Sequence, residues 1–367
     1  MSSRILYRYI IREYLKIFLA ALGGFLFICL VGDAAERTSD FVDASAPTGL
    51  ILLFYLNQLP YYLIFVLPAS SLIATLFTMG QMNKYNELTA MLSSGVSLER
   101  IFRPLLLLML VVSALSFLIN ETVVPRTNEK KKDIQDYRIK GRPKPVYGVR
   151  RGVDYQGEQG RRWSAGQFKL DTASFEDVKV LRFSGPPENL RINYRIDAGG
   201  ARYEKPGSWS FSAGTIRYFL PDSQEEWMVR FDRMVMTQLA EKPEDFIIEV
   251  KEAQQMNFAE LKNEIRRKNR NGLDVSQDET ELWIKTALPL TNFIIVLFGA
   301  PLAVLRRGTG PGMGIAMGVV VYMLFMGSYY FTRSMGYNGV IDPVAAAWAS
   351  NVVFAAAGII IFIRVRK

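Results

Sequence analysis

The sequence predicts an α-helical membrane protein with six transmembrane helices and one all-β domain inserted between the third and the fourth. Half of the 367 residues are apolar, and the mean hydropathy is positive, at +0.11. Apolar stretches long enough to cross a bilayer occur three times before a long polar interval and three times after it. The chain therefore divides into residues 1–125, 126–280 and 281–367, of which the middle part carries the β-domain.

Composition argues against most catalytic and metal-binding sites. The chain has no histidine, the commonest general base and metal ligand, and its one cysteine, Cys29, lies in an apolar stretch. No GxxxxGK[ST] sequence is present, so ATP binding in the P-loop manner is excluded. The net charge of +9 comes from basic residues that flank apolar stretches, so we expect the membrane, and no nucleic acid, as the partner.

The first predicted helix is a retained transmembrane segment. Arg4, Arg8 and Arg12 precede an almost wholly apolar stretch, residues 15–31, which runs on into a charged segment rather than a small-residue cleavage site. The link that follows, residues 33–49, is acidic and holds a single basic residue.

The other apolar stretches are also long enough to span a membrane. The second, residues 50–79, contains Pro60 and Pro68 and is too long for one perpendicular span, so we expect a kink or an interfacial first portion. The remaining predicted helices cover residues 104–119, 282–305, 313–332 and 343–363. No carboxylate or basic residue lies in the central part of any span, which argues against an ion-coupled carrier.

The segment between the second and third helices predicts a short amphipathic helix at about residues 81–94. Tyr85, Leu88 and Met91 fall on one stripe of that helix. Gly95 is suited to end it, because glycine enters the left-handed conformation at little cost, and a helix-capping serine follows. Two interpretations stay open: the helix docks into a groove of a soluble partner, or it rests on lipid headgroups.

Lysine and arginine residues near the predicted helix ends are strongly biased to one side. Twelve lie beside the termini, the short amphipathic helix and the link after the fourth helix. Only Arg37 and Arg333 lie in the short loops of the opposite side. By the positive-inside rule, both termini are cytoplasmic and the polar interval lies outside.

The polar interval begins with a basic stretch, residues 126–144, and continues with a β-like pattern to about residue 250. Residues 190–197 alternate apolar and polar side chains, and a hairpin is predicted with its turn at Ala213-Gly214. Short strands separated by turn signals indicate an all-β sandwich or an open barrel. A capping-box pattern then predicts a short linking helix at about residues 257–268.

One cytoplasmic motif and the order of the elements resemble a known family. The motif is the run Asn86-Glu-Leu-Thr-Ala-Met-Leu-Ser-Ser-Gly-Val-Ser97, and the closing part matches at Lys285, Pro289, Pro301, Trp348 and Asn351. Over essentially the whole chain, these features resemble the LptF/LptG family of lipopolysaccharide export permeases. The opening, residues 8–13 with Glu36-Arg37, is more similar to LptG than to LptF. Ser350 stands where the family pattern Trp-x-Pro-Asn has proline.

The resemblance implies a permease subunit of an ATP-binding-cassette exporter in the inner membrane of a Gram-negative bacterium, with a periplasmic β-jellyroll domain. Such a permease forms a heterodimer with a sister permease of the same family. A cytoplasmic LptB-like ATPase dimer hydrolyses ATP with Mg²⁺, while the permease itself binds no cofactor and no metal. The heterodimer extracts lipopolysaccharide and passes it to a periplasmic bridge of the LptC and LptA type.

The resemblance also implies roles for single residues on the cytoplasmic side. Glu87 falls on the coupling-helix glutamate of the family and would contact the ATPase. Tyr85, Leu88 and Met91 would line the same groove of that partner.

Candidate substrate contacts lie on the outer side. Arg37 is the first candidate for the lipopolysaccharide headgroup, and an ion pair with Glu36 or Asp40 is the alternative. The second headgroup candidate is a basic cluster, for which a solvated linker face is the alternative: Arg126, Lys130, Lys131 and Lys132. The candidates for an acyl-chain path, for which a plain β-domain core is the alternative, are Ile192, Tyr194, Trp209 and Phe211.

Two other classes of function remain open on the sequence. One is a non-transporting envelope scaffold whose outer domain binds partners. The other is a membrane-embedded lipid-modifying enzyme, which is disfavoured because no nucleophile–base pair is visible without histidine.

Overall fold

The chain forms two compact units, which are described separately. The computed structural model describes residues 3–141, 149–157, 160–185, 191–219, 226–246, 251–270, 273–305 and 311–365. The helical unit comprises Met1–Arg142, Glu252–Asn263 and Val275–Lys367. The sheet unit comprises Pro143–Lys251 and Glu264–Asp274.

Within the described ranges, six helices are long and apolar enough to cross a membrane, which confirms the six predicted spans. These spans are α1 (Ser3–Asp43), α2 (Thr48–Lys84), α4 (Leu98–Thr122), α7 (Ser276–Leu305), α8 (Pro311–Tyr337) and α9 (Pro343–Val365). The shorter helices are α3 (Glu87–Ser93), α5 (Val124–Asp133) and α6 (Phe258–Arg270). A π-helical turn, Ile134–Ile139, continues α5, and 3₁₀ turns cover Pro243–Phe246 and Ala253–Gln255.

Helix α2 is the most buried of the spans and continues through both of its prolines. Each proline removes one backbone donor from the helix. Hydroxyl groups in the next turn bond to carbonyls within the same helix: Ser70 Oγ donates to Val66 O at 2.9 Å and Ser71 Oγ donates to Leu67 O at 2.8 Å. These polar side chains are therefore satisfied inside the bundle.

The seam between α7 and α9 combines close backbone approach with buried hydrogen bonds. A Cβ atom on Gly358 would lie only 2.9 Å from the Cα of Phe298, so only glycine fits at this crossing. Thr291 Oγ1 donates to Asn351 Oδ1 at 3.0 Å, and Asn351 Nδ2 donates to Ala287 O at 2.8 Å. Polar groups between membrane helices thus serve helix–helix packing here.

The described residues of the sheet unit form six antiparallel strands, which confirms the inserted β-domain. They are β1 (Val149–Gln156), β2 (Arg161–Lys169), β3 (Ser174–Ser184), β4 (Arg191–Lys205), β5 (Ser208–Phe219) and β6 (Glu226–Thr237). Every described strand pairs with its neighbour in the chain, in the order β1-β2-β3-β4-β5-β6. The described part of the sheet is therefore a meander. The sequence predicted a sandwich, barrel or jellyroll without specifying the order of the strands.

The predicted hairpin turn at Ala213-Gly214 is wrong, because β5 runs straight through these residues. Gly214 pairs with Ala198 of β4, and a Cβ atom on Gly214 would lie 2.4 Å from the carbonyl oxygen of Asp197. The same atom would lie 2.8 Å from the ring of Phe231 on β6. The glycine is required for close approach across the sheet and not for chain reversal.

The basic stretch after the third span is helical from residue 126 to residue 139, where it forms most of α5 and the π-helical turn of the helical unit; residues 142–144 lie outside the described residues. The predicted capping box at the start of α6 is present. Glu260 N donates to Asn257 Oδ1 at 2.8 Å, and Asn257 N donates to Glu260 Oε2 at 3.0 Å. These reciprocal bonds satisfy two backbone donors that a helix start leaves unpaired.

Candidate functional site

The segment between α2 and α4 contains a shorter helix than the sequence predicts. Residues 81–84 belong to α2, and Asn86 then turns the chain with a φ of 58° before α3 begins at Glu87. The end of the segment agrees with expectation. Gly95 adopts a φ of 85°, and the Ser97 hydroxyl accepts from Arg100 N at 3.4 Å at the start of α4.

The apolar stripe of this segment faces the protein's own bundle. Leu88 is almost fully buried in the core of the helical unit, and Met91 packs half-buried against the same core. Leu88 is therefore not available to line a partner's groove, which corrects that expectation. Tyr85 lies outside α3 and is 60% exposed, with the Lys84 ammonium 5.6 Å from its ring centre.

Glu87 lies in the first turn of α3 and is hydrogen-bonded to another helix of the same chain. The Tyr9 hydroxyl, on α1, donates to Glu87 Oε2 at 2.8 Å. A carboxylate is also favoured at this position by the partial positive charge of the helix N-terminus. Glu87 is only half-buried, so it can still receive a basic group from outside the chain.

Helix α1 is fixed to the bundle near both ends. In its first half, Leu6, Ile10, Tyr14 and Phe18 follow one helical stripe and are buried. The Tyr14 hydroxyl donates to Ser71 O of α2 at 3.2 Å. Near the other end, the Phe41 ring packs edge-on against Phe54 of α2 with ring centres 5.7 Å apart. Between these attachments, Leu19, Phe27, Ile28 and Val31 are exposed.

Arg37 lies in the last part of α1 and pairs with a residue one turn earlier. Its Nε donates to both carboxylate oxygens of Asp33, at 2.9 and 3.1 Å, and its guanidinium lies 5.7 Å from the ring centre of Phe54. The alternative of a pair with Glu36 or Asp40 is wrong, since Asp40 pairs instead with Lys140 at 3.4 Å. Among described residues, the terminal nitrogens of Arg37 have no hydrogen-bond partner.

The basic residues of α5 divide into exposed and half-buried ones. Arg126 and Lys130 are exposed and make no ion pair with a described residue, as a solvated face would. Lys132 pairs with Glu252 at 3.2 Å. Burial, and then the positive charge of Arg37, lower the pKa of Lys131 below the ordinary lysine value.

The charge of Arg37 is felt at Lys131, so these two headgroup candidates belong to one region of positive charge in the helical unit. Lys131 and Lys132 also line a small cavity of about 90 Å³ in the helical unit. Its other lining residues are Asn128, Gln135, Glu252, Gln254 and Gln255. The arrangement can offer positive charge and amide donors to an anion at the end of α1.

The candidate acyl-chain path inside the sheet unit is largely a packed core. Trp209 and Phe211 are fully buried, and the ring of Trp163 lies 5.3 and 5.9 Å from theirs. Trp209 Nε1 donates to Glu241 O at 3.0 Å, and burial raises the pKa of Tyr194. Of the four candidates, Ile192 alone is half-buried, so the core interpretation fits the other three.

A polar cluster at the start of α7 and the end of α8 was not among the predicted site residues. Arg333 forms an ion pair with Glu281, and its Nε donates to the Tyr337 hydroxyl at 2.8 Å. Lys285, one turn after Glu281, is 94% buried, with no ion pair among the described residues. The spacing of Glu281 and Lys285 on one helical face was the available signal, but only folding brings Arg333 to it.

Comparisons with known proteins match almost the whole chain. The model of the family "Lipopolysaccharide export system permease LptF/LptG" matches residues 8–364. This chain is also similar to proteins described as lipopolysaccharide export system permease protein LptF, from Escherichia coli K12, E. coli O157:H7 and Shigella flexneri. Each of them is 22% identical to this chain. Each alignment covers 97% of this chain and 94% of the relative. The family model includes both LptF and LptG, so the similarity of the opening residues to LptG stays a prediction.

Proposed function

Because the chain belongs to the LptF/LptG family of lipopolysaccharide export permeases, we propose that it is one half of a paired permease in an ATP-driven exporter. The observation that carries the proposal is the family match over residues 8–364, together with six helices that can span a membrane. Membership places the chain among multi-pass inner-membrane permeases with a role in lipopolysaccharide transport. The sister permease completes the transport path.

The energy comes from a separate cytoplasmic ATPase dimer of the LptB type, which uses ATP and Mg²⁺, while this chain binds no cofactor. Glu87 meets a basic group of that ATPase. The half-buried carboxylate at the start of α3 and the exposed Tyr85 ring support this contact. The buried Leu88 and half-buried Met91 join α3 to the bundle, so that movement of α3 reaches the spans.

Both termini and α3 face the cytoplasm, and the sheet unit is periplasmic. The support is the charge bias of the sequence, with twelve basic residues on the side of α3 and two on the other. In this orientation, the end of α1 with Arg37, and α5 with Lys131, lie at the outer leaflet. Phosphate groups of lipopolysaccharide bind there, and the lipid then passes to the periplasmic LptC and LptA bridge.

The Arg37→Glu variant is expected to retain about tenfold less lipopolysaccharide through purification, because charge-assisted bonds to phosphate are lost and a repulsive charge is added. The measurement is the amount of lipopolysaccharide per mole of purified protein. Arg162→Glu is the matched control, since it breaks a similar arginine–aspartate pair, with Asp154 of the sheet. Equal retention in the two variants would remove Arg37 from the substrate site.

The proposed function is tested by affinity purification of the full chain in detergent, followed by mass spectrometry. The expected result is recovery of one ATPase, one second permease of the same family and lipopolysaccharide. A chain recovered with none of the three would overturn the proposal and favour an envelope scaffold. Chemical turnover of the bound lipid by the chain alone would favour an enzyme.

A further inference from the structure

A groove at the start of α4 lies away from the headgroup candidates. It has a volume of about 450 Å³, within the range of about 300–1,000 Å³ typical of small-molecule sites. Its walls come from α4, from Tyr7 of α1, from Phe293 of α7 and from Phe362 of α9. Helix α4 has 25 residues and is therefore about 37 Å long, so the groove and the end of α4 near α5 lie at opposite membrane surfaces.

The wall of the groove is apolar. Leu106, Leu107 and Leu110 follow Arg103 at spacings of three, four and seven residues, which places them on one face of α4. Leu107 and Leu110 are exposed, as side chains in contact with lipid are. The groove is closed at its side by the buried ring of Phe102, whose centre lies 6.1 Å from that of Phe362.

The mouth of the groove is cationic. Arg100 and Arg103 both line it and are exposed, and neither guanidinium has an ion pair or a hydrogen bond to any residue the structure describes. Glu99, which also lines the groove, already has a partner of its own. A guanidinium matches a phosphate through two parallel hydrogen bonds, and two of them one helical turn apart can hold one phosphate group.

We propose that this groove binds an anionic glycerophospholipid of the cytoplasmic leaflet, with its phosphate on Arg100 and Arg103 and one acyl chain along Leu106 and Leu110. The inference rests on the orientation given under the proposed function. Basic pockets between transmembrane helices on the cytoplasmic side are the usual sites for such lipids. Lipopolysaccharide is not the occupant, because the headgroup candidates lie at the other end of the spans.

The bound lipid would stabilise the position of α3, which carries Glu87. Arg100 and Arg103 are in the first turns of α4, which follows α3 after Gly95 and Ser97. Tyr7 of the groove lies two residues before Tyr9, whose hydroxyl holds Glu87. One lipid therefore contacts α4, which follows α3 in the chain, and α1, whose Tyr9 donates to Glu87.

The test is native mass spectrometry of the full chain, purified with its partners, after exchange into detergent containing either phosphatidylglycerol or phosphatidylcholine. Wild-type protein is expected to retain phosphatidylglycerol in preference to phosphatidylcholine. The Arg100→Gln/Arg103→Gln double variant is expected to bind phosphatidylglycerol at least about tenfold more weakly. The matched control, Arg8→Gln/Arg364→Gln, removes two exposed charges from the same side without touching the groove and keeps the wild-type preference.

A second variant tests the apolar wall. Leu110→Trp fills the groove without changing its charge, and it is expected to weaken retention of the lipid while the ATPase still co-purifies. Equal retention by the double variant and its control, or equal retention of the two lipids by wild type, would overturn the proposal. Failure to recover an ATPase with a chain that still selects phosphatidylglycerol would instead count against the proposed function alone.

Discussion

Glu87→Lys is expected to abolish coupling to the ATPase while the chain still inserts and folds. Loss of one partner from a desolvated charge pair costs about 2–5 kcal/mol of association free energy, and the new lysine adds repulsion to a basic partner. The measurements are the amount of ATPase that co-purifies and the rate of lipopolysaccharide release from reconstituted vesicles. Glu13→Lys is the matched control, because it reverses a half-buried carboxylate of α1 whose ion pair is with Lys16, three residues along the same helix. A Glu87→Lys complex with wild-type composition and transport would refute the assignment.

Tyr9→Phe tests whether Glu87 acts through its contact with the ATPase or through its hydrogen bond to α1. This variant keeps the ring and the carboxylate but removes the 2.8 Å hydrogen bond. The expected loss is small, about 1 kcal/mol in ATPase association, since a net hydrogen bond contributes about that much. An effect as large as that of Glu87→Lys would mean that the tie to α1, and not the partner contact, is what Glu87 supplies.

Gly358→Leu is expected to destabilise the helical unit by about 3 kcal/mol or more, at the upper end of overpacking effects. The new side chain would meet the backbone of Phe298 at 2.9–3.0 Å, and backbone cannot swing aside as a side-chain end can. Helices α7 and α9 would have to separate, which also strains the hydrogen bonds of Asn351. The measurement is thermal unfolding of the purified chain in detergent.

The control for this experiment is Gly327→Leu on α8, where an added Cβ atom meets nothing within 4 Å. It introduces the same side chain into another membrane helix without a clash. Its Tm is expected to stay near that of the wild type. If the two variants unfold at the same temperature, the close crossing of α7 and α9 does not limit stability.

The spans and the presence of a β-domain were predictable because each depends on a local pattern. An apolar stretch of about 20 residues can satisfy its backbone in lipid only as a helix. Alternation around Tyr194 and Ile196 likewise placed both side chains on the inner face of β4. The prediction of a turn at Ala213-Gly214 was wrong, because small residues occur both where a chain reverses and where a neighbouring strand approaches closely. The register with Asp197 and Phe231 is visible only in three dimensions.

The site was less predictable, and Arg37 shows why. The sequence predicted an acidic link after residue 31, in which Glu36 and Asp40 were the alternative partners of Arg37. Helix α1 in fact continues to Asp43, so the carboxylate four residues earlier, Asp33, lies beside the guanidinium. The hydrogen bond between Tyr9 and Glu87 joins residues that are 78 positions apart, and no local sequence pattern predicts such a pair.

The attachment of α1 at both ends has a mechanical consequence. From Tyr9 to Arg37 the chain is one unbroken helix, so the two residues are about 42 Å apart along its axis. A displacement of α3 can therefore be transmitted along α1 to its far end, and it also shifts the buried side chains that α1 contributes to the bundle core. The exposed side chains in the middle of α1 are available to contact neighbouring lipid or protein as the helix moves.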